Sequence, residues 1–138
     1  MIRALILCLA LFPGPATADP PGTSTVLGPP LTASQFASYA SGKTLTYASG
    51  GVVWGTEHYL PFRQVLWAFT DQPCEFGHWF AQDDAICFVY DGNPKPNCWL
   101  FHHGTRGLIA RFLGGSNTLS EVGQTAEPMT CPDPKIGA

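Results

Sequence analysis

The sequence predicts a mainly β protein: a curled antiparallel meander or small barrel with one short N-terminal helix and two disulfides. Residues 43–113 consist of short apolar and aromatic stretches separated by turn residues at regular spacing, a pattern typical of antiparallel strands. Four cysteines follow an apparent export signal, and an even number in an exported chain indicates paired cysteines. A single segment after residue 30 carries the start signals of a helix.

Residues 1–18 have the pattern of a secretory signal peptide. Arg3 precedes an apolar run, and residues 16–18 supply the small side chains that signal peptidase requires. The run is too short for a permanent membrane span, and Cys8 is not preceded by the small residue that lipidation needs. We therefore expect cleavage after Ala18, no membrane anchor, and a location in the periplasm or outside the cell.

The charge balance excludes two classes of partner. The chain has seven Lys and Arg against ten Asp and Glu, and removal of Arg3 with the leader leaves six basic residues and a net charge of −4. Nucleic acids and anionic membrane surfaces require clusters of Lys and Arg, which this sequence lacks. The remaining length of about 120 residues is that of one domain.

Residues 19–30 form a Pro/Gly-rich lead-in that we expect to be flexible, because it has too few apolar residues to pack a core. The predicted domain then covers residues 31–113 as a helix followed by a β-meander. Residues 114–138 are polar and rich in proline, and they are predicted to form an irregular tail tethered by Cys131.

The sequence predicts both the start and the end of the helix. Thr32 is the predicted N-cap, and Gln35, three residues later, completes a capping box. Leu31 and Phe36 stand at the positions of a hydrophobic staple, and Gly42 is placed to end the helix in the left-handed conformation.

Seven or eight strands are predicted after the helix, each bounded by turn residues. Gly50 and Gly51 form a tight turn, and residues 91–94 (Asp-Gly-Asn-Pro) carry the strongest turn signal in the chain. The predicted strands are 43–47, 52–54, 57–60, 65–70, 74–80, 85–90, 97–103 and 107–113.

Three pairings of the four cysteines are possible, and strand register favours one of them. If residues 91–94 form the hairpin loop, Tyr90 faces Lys95, and Cys87 then lies directly opposite Cys98. Directly opposed residues bring their Cβ atoms close to disulfide distance. The remaining bridge would join the other two cysteines. The predicted disulfides are Cys87–Cys98 and Cys74–Cys131.

The histidines and carboxylates do not form a catalytic or metal-binding pattern. His102 and His103 are adjacent on a predicted strand, so their side chains point to opposite faces and cannot chelate one metal together. A site would need one of them beside His58 or His78, plus a carboxylate such as Glu57 or Asp71. Surface or hydrogen-bonded histidines are the favoured interpretation. No Cys-x-x-Cys or Cys-x-x-His spacing supports zinc. We expect no metal and no cofactor, and the protein is not predicted to be an enzyme. A small hydrolase remains an alternative, with the acids Asp71, Glu75 or Asp84 acting beside a histidine.

Aromatic residues are unusually frequent, and the predicted register places several of them on one face of the sheet. Phe88, Tyr90, Trp99 and Phe101 share that face, while the cysteines occupy the other. The aromatic face either fills the core or lines a binding surface. The candidate ligand-binding residues are Trp67, Trp79, Tyr90 and Trp99.

Several short motifs resemble those of a group of uncharacterised small exported bacterial proteins, and more loosely those of calycin-like barrels. The motifs are Gly42-Lys43-Thr44, Trp67-Ala68-Phe69, Gly77-x-Trp79, Ile86-Cys87-Phe88 and Cys98-Trp99-x-Phe101. In the calycin-like barrels a Gly-x-Trp element usually lies on the first strand, whereas here it falls in mid-chain. The resemblance implies an exported β-barrel and carries no activity.

These observations favour a non-enzymatic binding or structural module with an aromatic-lined surface or cavity. Its expected partner is a small apolar ligand or an envelope protein. Another alternative is an inhibitor of an envelope or host hydrolase, with residues 91–96 and 102–106 as the reactive loops.

Overall fold

The computed structural model describes residue 14 and residues 26–131. The predicted signal peptide, its cleavage site and residues 19–25 of the lead-in lie outside those residues. Among the described residues, no helix has the length and apolar character that crossing a membrane requires.

One helix and eight strands make up the fold. In chain order they are α1 (Ala33–Ala40), β1 (Thr44–Ser49), β2 (Val52–Tyr59), β3 (Gln64–Phe69), β4 (Glu75–Gln82), β5 (Ala85–Tyr90), β6 (Asn93–His103), β7 (Leu108–Phe112) and β8 (Thr118–Thr125), with a 3₁₀ turn at Pro61–Arg63 before β3. Each strand pairs antiparallel with the next, and β8 pairs with β1, so the sheet closes into a barrel. Closure leaves no free strand edge. The predicted mainly β fold is confirmed, and it is the barrel rather than an open curled sheet.

Helix α1 covers one end of the barrel. Its predicted capping box is present, with the Gln35 amide donating to the Thr32 hydroxyl and the Thr32 amide donating to the Gln35 side chain. Gly42 ends the turn at a positive φ of 76°. Phe36 is fully buried, and its ring centroid lies 5.5 Å from that of Tyr59 and 4.6 Å from that of Phe101. This insertion closes the barrel and stabilises it by about 2–3 kcal/mol of apolar burial.

The two ends of the barrel therefore differ. The closed end carries α1, the 3₁₀ turn and the turns at residues 83–84 and 104–107. The other end, here called the mouth, is formed by the turns at residues 50–51, 70–74, 91–92 and 113–117. Helix α1 covers the interior at the closed end, and no helix of the described residues covers the mouth.

Both predicted disulfides are confirmed: Cys87–Cys98 and Cys74–Cys131. The first joins directly paired residues of β5 and β6, and the second fastens the segment after β8 to the turn between β3 and β4. Paired cysteines of this kind persist in oxidising compartments outside the cytoplasm.

The hairpin between β5 and β6 is shorter than predicted. Tyr90 pairs with Asn93 rather than with Lys95, which leaves a two-residue turn, and an irregularity between Phe88 and Tyr90 restores the register. The predicted cysteine pairing survives because two extra residues of β6 are accommodated between the turn and Cys98. Similarly, the predicted strands 52–54 and 57–60 are one continuous strand, β2.

Strand β8 occupies residues that the sequence assigned to an irregular tail. Its interior positions include Leu119 and Glu121, both buried, while Val122 is exposed. An acid inside and a valine outside invert the usual alternation of a half-buried strand. Residues 126–131 follow β8 without regular structure and end at the tethering Cys131.

Candidate functional site

A cavity of about 360 Å³ lies inside the barrel, between the closed end and the mouth. All eight strands contribute lining residues, because every second residue of a strand faces inward. The lining consists of Tyr47, Trp54, Glu57, Trp67, Phe69, Glu75, Phe88, Tyr90, Asn93, Asn97, Trp99, Phe101, Ala110, Phe112, Asn117 and Leu119.

Aromatic rings form most of the wall on the mouth side. Trp54 packs edge-to-face against Trp67 and against Trp99, with ring centroids 6.1 Å and 6.2 Å apart. Trp99 in turn lies 4.8 Å from Phe112. Because β2, β3, β6 and β7 each supply one of these rings, the wall extends around the interior instead of lying on a single strand.

A glycine on β2 makes room for one of these rings. A Cβ atom on Gly55 would lie 2.4 Å from Cζ2 of Trp67 and 2.6 Å from the carbonyl oxygen of Ala68. Contacts that short do not occur between real atoms, so the indole of Trp67 occupies the space that a side chain at position 55 would need. The glycine thus positions a cavity-lining tryptophan.

A buried carboxyl group, that of Glu57, lies within the cavity lining and is only 4% exposed. Its Oε1 accepts a hydrogen bond from the Tyr90 hydroxyl at 2.7 Å, and its Oε2 accepts one from the Tyr59 hydroxyl at 3.0 Å. The Tyr59 hydroxyl lies 2.9 Å from that of Tyr47. Since the Tyr59 proton is directed at Glu57, Tyr47 donates to Tyr59. Two tyrosines thus bond Glu57 directly, and the third is linked to it through Tyr59.

The environment of Glu57 favours its neutral form. Burial raises the pKa of this carboxyl from the usual 4.5 to about 7, and the hydrogen bonds from Tyr90 and Tyr59 act in the opposite direction. Burial likewise raises the pKa of the Tyr47, Tyr59 and Tyr90 hydroxyls well above 10.0. The phenols therefore remain proton donors, and Glu57 is the group of this cluster that changes charge near neutral pH.

The rim of the cavity is polar and carries no positive charge. Asn93, Asn97 and Asn117 line it together with Glu75, which lies at the start of β4. No Lys, Arg or His lines the cavity formed by the described residues. The chamber thus combines an aromatic wall with two acids and three amides.

A second buried acid, Glu121, lies toward the closed end. It accepts hydrogen bonds from the backbone amide of Leu108 at 2.8 Å, from the Tyr39 hydroxyl at 2.8 Å and from the Gln124 side chain at 3.0 Å. It is not among the cavity-lining residues. These bonds tie α1 to β7 and β8, so Glu121 has a structural role.

Three of the four candidate ligand-binding residues, Trp67, Tyr90 and Trp99, line the cavity. The fourth, Trp79, does not, although it is buried. Its ring lies 5.2 Å from that of Phe36, and the Arg63 guanidinium lies 4.6 Å from its centroid. The insertion of Phe36 separates Trp79 from the open part of the interior.

Neither Glu57 nor Trp54 was among the predicted ligand-binding residues, although both line the cavity. Once β2 is known to be one strand, Gly55, Glu57 and Tyr59 fall on the same face, which is the inward one. An acid that alternates with Gly55 and Tyr59 on one face of the strand was the available signal. Dividing residues 52–60 into two short strands concealed that alternation.

The histidines do not gather into a site. His58 and His102 are buried, each with its Nδ1 2.7 Å from a partner oxygen, the Thr44 hydroxyl and the Gly28 carbonyl respectively. His78 and His103 are exposed on β4 and β6. Among the described residues, no three His, Cys, Asp or Glu side chains are grouped as a metal site would require.

The acids considered for hydrolysis are also dispersed. Asp71 is exposed in a turn at the mouth, and Asp84 is exposed in a turn at the closed end. Glu75 alone reaches the cavity, at its rim. These three residues therefore do not form the paired acids that the hydrolase alternative requires.

Comparison of the chain with models of protein families, with curated proteins and with solved structures gave no match.

Proposed function

We propose that this protein is a non-enzymatic binding module that holds one small, mainly apolar ligand inside its barrel. The observation that carries the proposal is the aromatic-lined cavity of about 360 Å³, whose lining extends to residues at the mouth such as Phe69, Asn93 and Asn117. Eight-stranded barrels are just wide enough either to be filled by side chains or to hold one small ligand. This barrel is filled at the closed end by Phe36 and left open beyond it.

The composition of the cavity supports the proposal. Ligand sites in proteins are usually concave and apolar, with a few polar groups that fix the orientation of the ligand. Here tryptophan and phenylalanine rings supply the apolar wall, and Glu57 with the rim amides supplies the polar groups. A shallower groove of about 630 Å³ lies beside Met129 and Thr130. It does not combine an aromatic wall with a buried acid, because its only charged lining residue, Asp71, is exposed.

We further propose that the protein works in the periplasm or outside the cell, after cleavage behind Ala18. The two disulfides support a compartment that is oxidising. The resemblance to small exported bacterial proteins points the same way.

The inhibitor alternative has less geometric support. The segment 91–96 is a two-residue turn followed by the first residues of β6, so it does not project as a reactive loop. The segment 102–106 begins within β6 and continues into the compact turn at residues 104–107, where the Gly104 amide donates to the Gly107 carbonyl at 2.8 Å. An interior site is the better supported of the two.

Titration with the neutral, apolar fluorophore N-phenylnaphthylamine tests the proposal. We expect one molecule to bind per chain, with an increase in probe fluorescence and quenching of the cavity tryptophans. Ala110→Phe should abolish this binding, because Ala110 is 1% exposed and lines the cavity. The matched control is Val52→Phe, at an outer position that is 72% exposed, and it should bind like the unaltered protein.

Leu119→Phe is a second cavity-filling variant, in case the first does not fold; near-UV circular dichroism reports the packing of both. The binding-module proposal is wrong if the unaltered protein fails to bind the probe. It is also wrong if either folded filling variant binds as well as the Val52→Phe control, because the probe would then lie outside the barrel.

A further inference from the structure

We propose that the ligand of this cavity is an organic cation, an amine or ammonium group on an apolar or aromatic body, and that Glu57 is its ion-pairing partner. This inference rests on the proposed binding function and adds the chemical class of the ligand. It is carried by the position of Glu57 inside an aromatic chamber that contains no positive charge of its own.

The first argument is the sign of the charge in the cavity. Glu57 and Glu75 line it, and no basic residue does. The three arginines of the barrel region are elsewhere: Arg63 lies over Trp79, and Arg106 and Arg111 are exposed. A carboxylate or phosphate ligand would meet two acids without a compensating cation, which is unfavourable in a desolvated site. A cationic ligand would supply the missing charge.

The second argument is the hydrogen-bonding capacity of Glu57. A carboxylate has about four acceptor positions, two on each oxygen. Tyr90 occupies one on Oε1 and Tyr59 occupies one on Oε2. Each oxygen therefore retains a free lone pair, and an ammonium group has three donors to offer. The two tyrosines hold the carboxyl in a fixed orientation without saturating it.

The third argument is the wall beside the acid. Trp67 is directly paired with Glu57 across β2 and β3, so their side chains are neighbours on the inner face. Trp54 and Trp99 lie within about 6 Å of one another's rings. Tryptophan attracts cations more strongly than the other aromatic residues, and it also accommodates the apolar body of such a ligand. An acid next to indoles is thus matched to an amphipathic cation.

Binding should be coupled to the ionisation of Glu57. The titratable groups near it are Tyr59 on its own strand, Tyr47 on β1 and Tyr90 on β5, with Glu75 on β4, Glu121 on β8 and Tyr39 on α1 acting on those tyrosines at longer range. The hydroxyls keep their protons at neutral pH, so a cation displaces the proton of Glu57. Affinity for a cation should consequently rise with pH up to about pH 7.

The test uses three compounds with the same phenylalkyl body and different charge: phenylbutylamine, phenylbutanol and phenylbutyrate. Calorimetric titration of the protein at neutral pH should give an affinity for the amine about tenfold or more above that for the alcohol, as expected for a charge-assisted hydrogen bond. The butyrate should bind most weakly. Glu57→Gln should remove the preference for the amine while retaining affinity for the alcohol. Glu127→Gln, at an exposed position outside the cavity, is the matched control that should retain the preference.

A second measurement needs no variant. In the unaltered protein, affinity for the amine should fall about tenfold per pH unit below pH 7, while affinity for the alcohol stays constant. Equal affinities for amine and alcohol, a preference for the butyrate, or a Glu57→Gln variant that keeps the amine preference would each overturn the inference. In those cases binding of N-phenylnaphthylamine leaves the proposed binding function standing. If none of these compounds binds, both proposals fail together.

Discussion

The hydroxyl of Tyr90 donates a hydrogen bond to Oε1 of Glu57 over 2.7 Å, and this bond crosses the barrel from β5 to β2. The two strands are not neighbours in the sheet. A polar contact through the interior therefore defines the position of the acid more firmly than backbone pairing alone. It also places a group of variable charge in the interior of the barrel, where Glu57 is 4% exposed.

Replacing this acid should change the pH dependence of folding. Burial raises the pKa of Glu57 from 4.5 to about 7, so between these values the folded chain binds more protons than the unfolded chain. Its stabilising contribution is fully present below about pH 4.5 and is lost as pH rises through about 7, a change of about 3 kcal/mol. Urea unfolding at several pH values should show that slope in the unaltered protein and its absence in Glu57→Gln. Glu75→Gln, at an exposed position, should keep the slope.

Removing the hydroxyl of Tyr90 should shift the ionisation of Glu57 in a defined direction. The Tyr90 hydrogen bond lowers the pKa of Glu57, since it stabilises the charged carboxylate. In Tyr90→Phe that pKa should move above 7, which carboxyl carbon chemical shifts in an NMR titration would reveal. Tyr39→Phe removes a comparable bond to Glu121 and should leave the Glu57 midpoint in place. A downward shift in Tyr90→Phe would contradict the hydrogen-bond direction described above.

Adding a single methyl group at Gly55 should destabilise the protein. The new Cβ would meet the Trp67 ring at 2.4 Å and backbone oxygen of Ala68 at 2.6 Å, so both the ring and the strand must move. We expect Gly55→Ala to cost about 1–3 kcal/mol, as overpacking usually does, and to alter tryptophan fluorescence. Gly123→Ala is the matched strand control, because its Cβ would meet nothing closer than 3.9 Å. Equal stability of the two variants would contradict the proposed close packing.

The two disulfides should contribute unequally. In the chain-entropy description, a bridge with a sequence separation of 57 stabilises by about 4 kcal/mol, and one with a separation of 11 by about 3 kcal/mol. Replacing both cysteines of Cys74–Cys131 by alanine should thus lower the free energy of unfolding more than the same change at Cys87–Cys98. Chemical unfolding of the two double variants measures this. The reverse order would indicate that packing around the fully buried Cys87 outweighs loop closure.

The architecture was predictable because its signals are local. The capping box at Thr32, the glycine turn after β1 and the alternation along β5 and β6 each depend on neighbouring residues. The Cys87–Cys98 pairing was predicted from a four-residue loop, and it is correct because the register shift between Phe88 and Tyr90 compensates for the shorter turn. Strand β8 was not predicted because an acid at an inward position does not fit the usual pattern of a strand. Glu121 can be buried there because it accepts hydrogen bonds from Tyr39 and from the Leu108 amide, which are distant in the sequence.

The candidate site was less predictable than the fold. Three of its aromatic residues could be named from composition and register. The size of the open interior, however, depends on how far the Phe36 side chain extends into the barrel from the closed end. No pattern along β2 shows that Tyr90, thirty-three residues away, completes the environment of Glu57. Contacts across a barrel are set by closure, and closure is a property of all eight strands together.

The chain enters the barrel from the side opposite the mouth. The Leu31 amide donates to the Phe101 carbonyl at 2.7 Å, and the Gly28 carbonyl lies 2.7 Å from Nδ1 of His102, both at the closed end of β6. A label, tag or surface tether attached ahead of residue 28 is therefore joined at the base of the barrel. Immobilised in that orientation, the molecule presents its entrance to solution, whereas attachment beyond Cys131 anchors it beside the entrance.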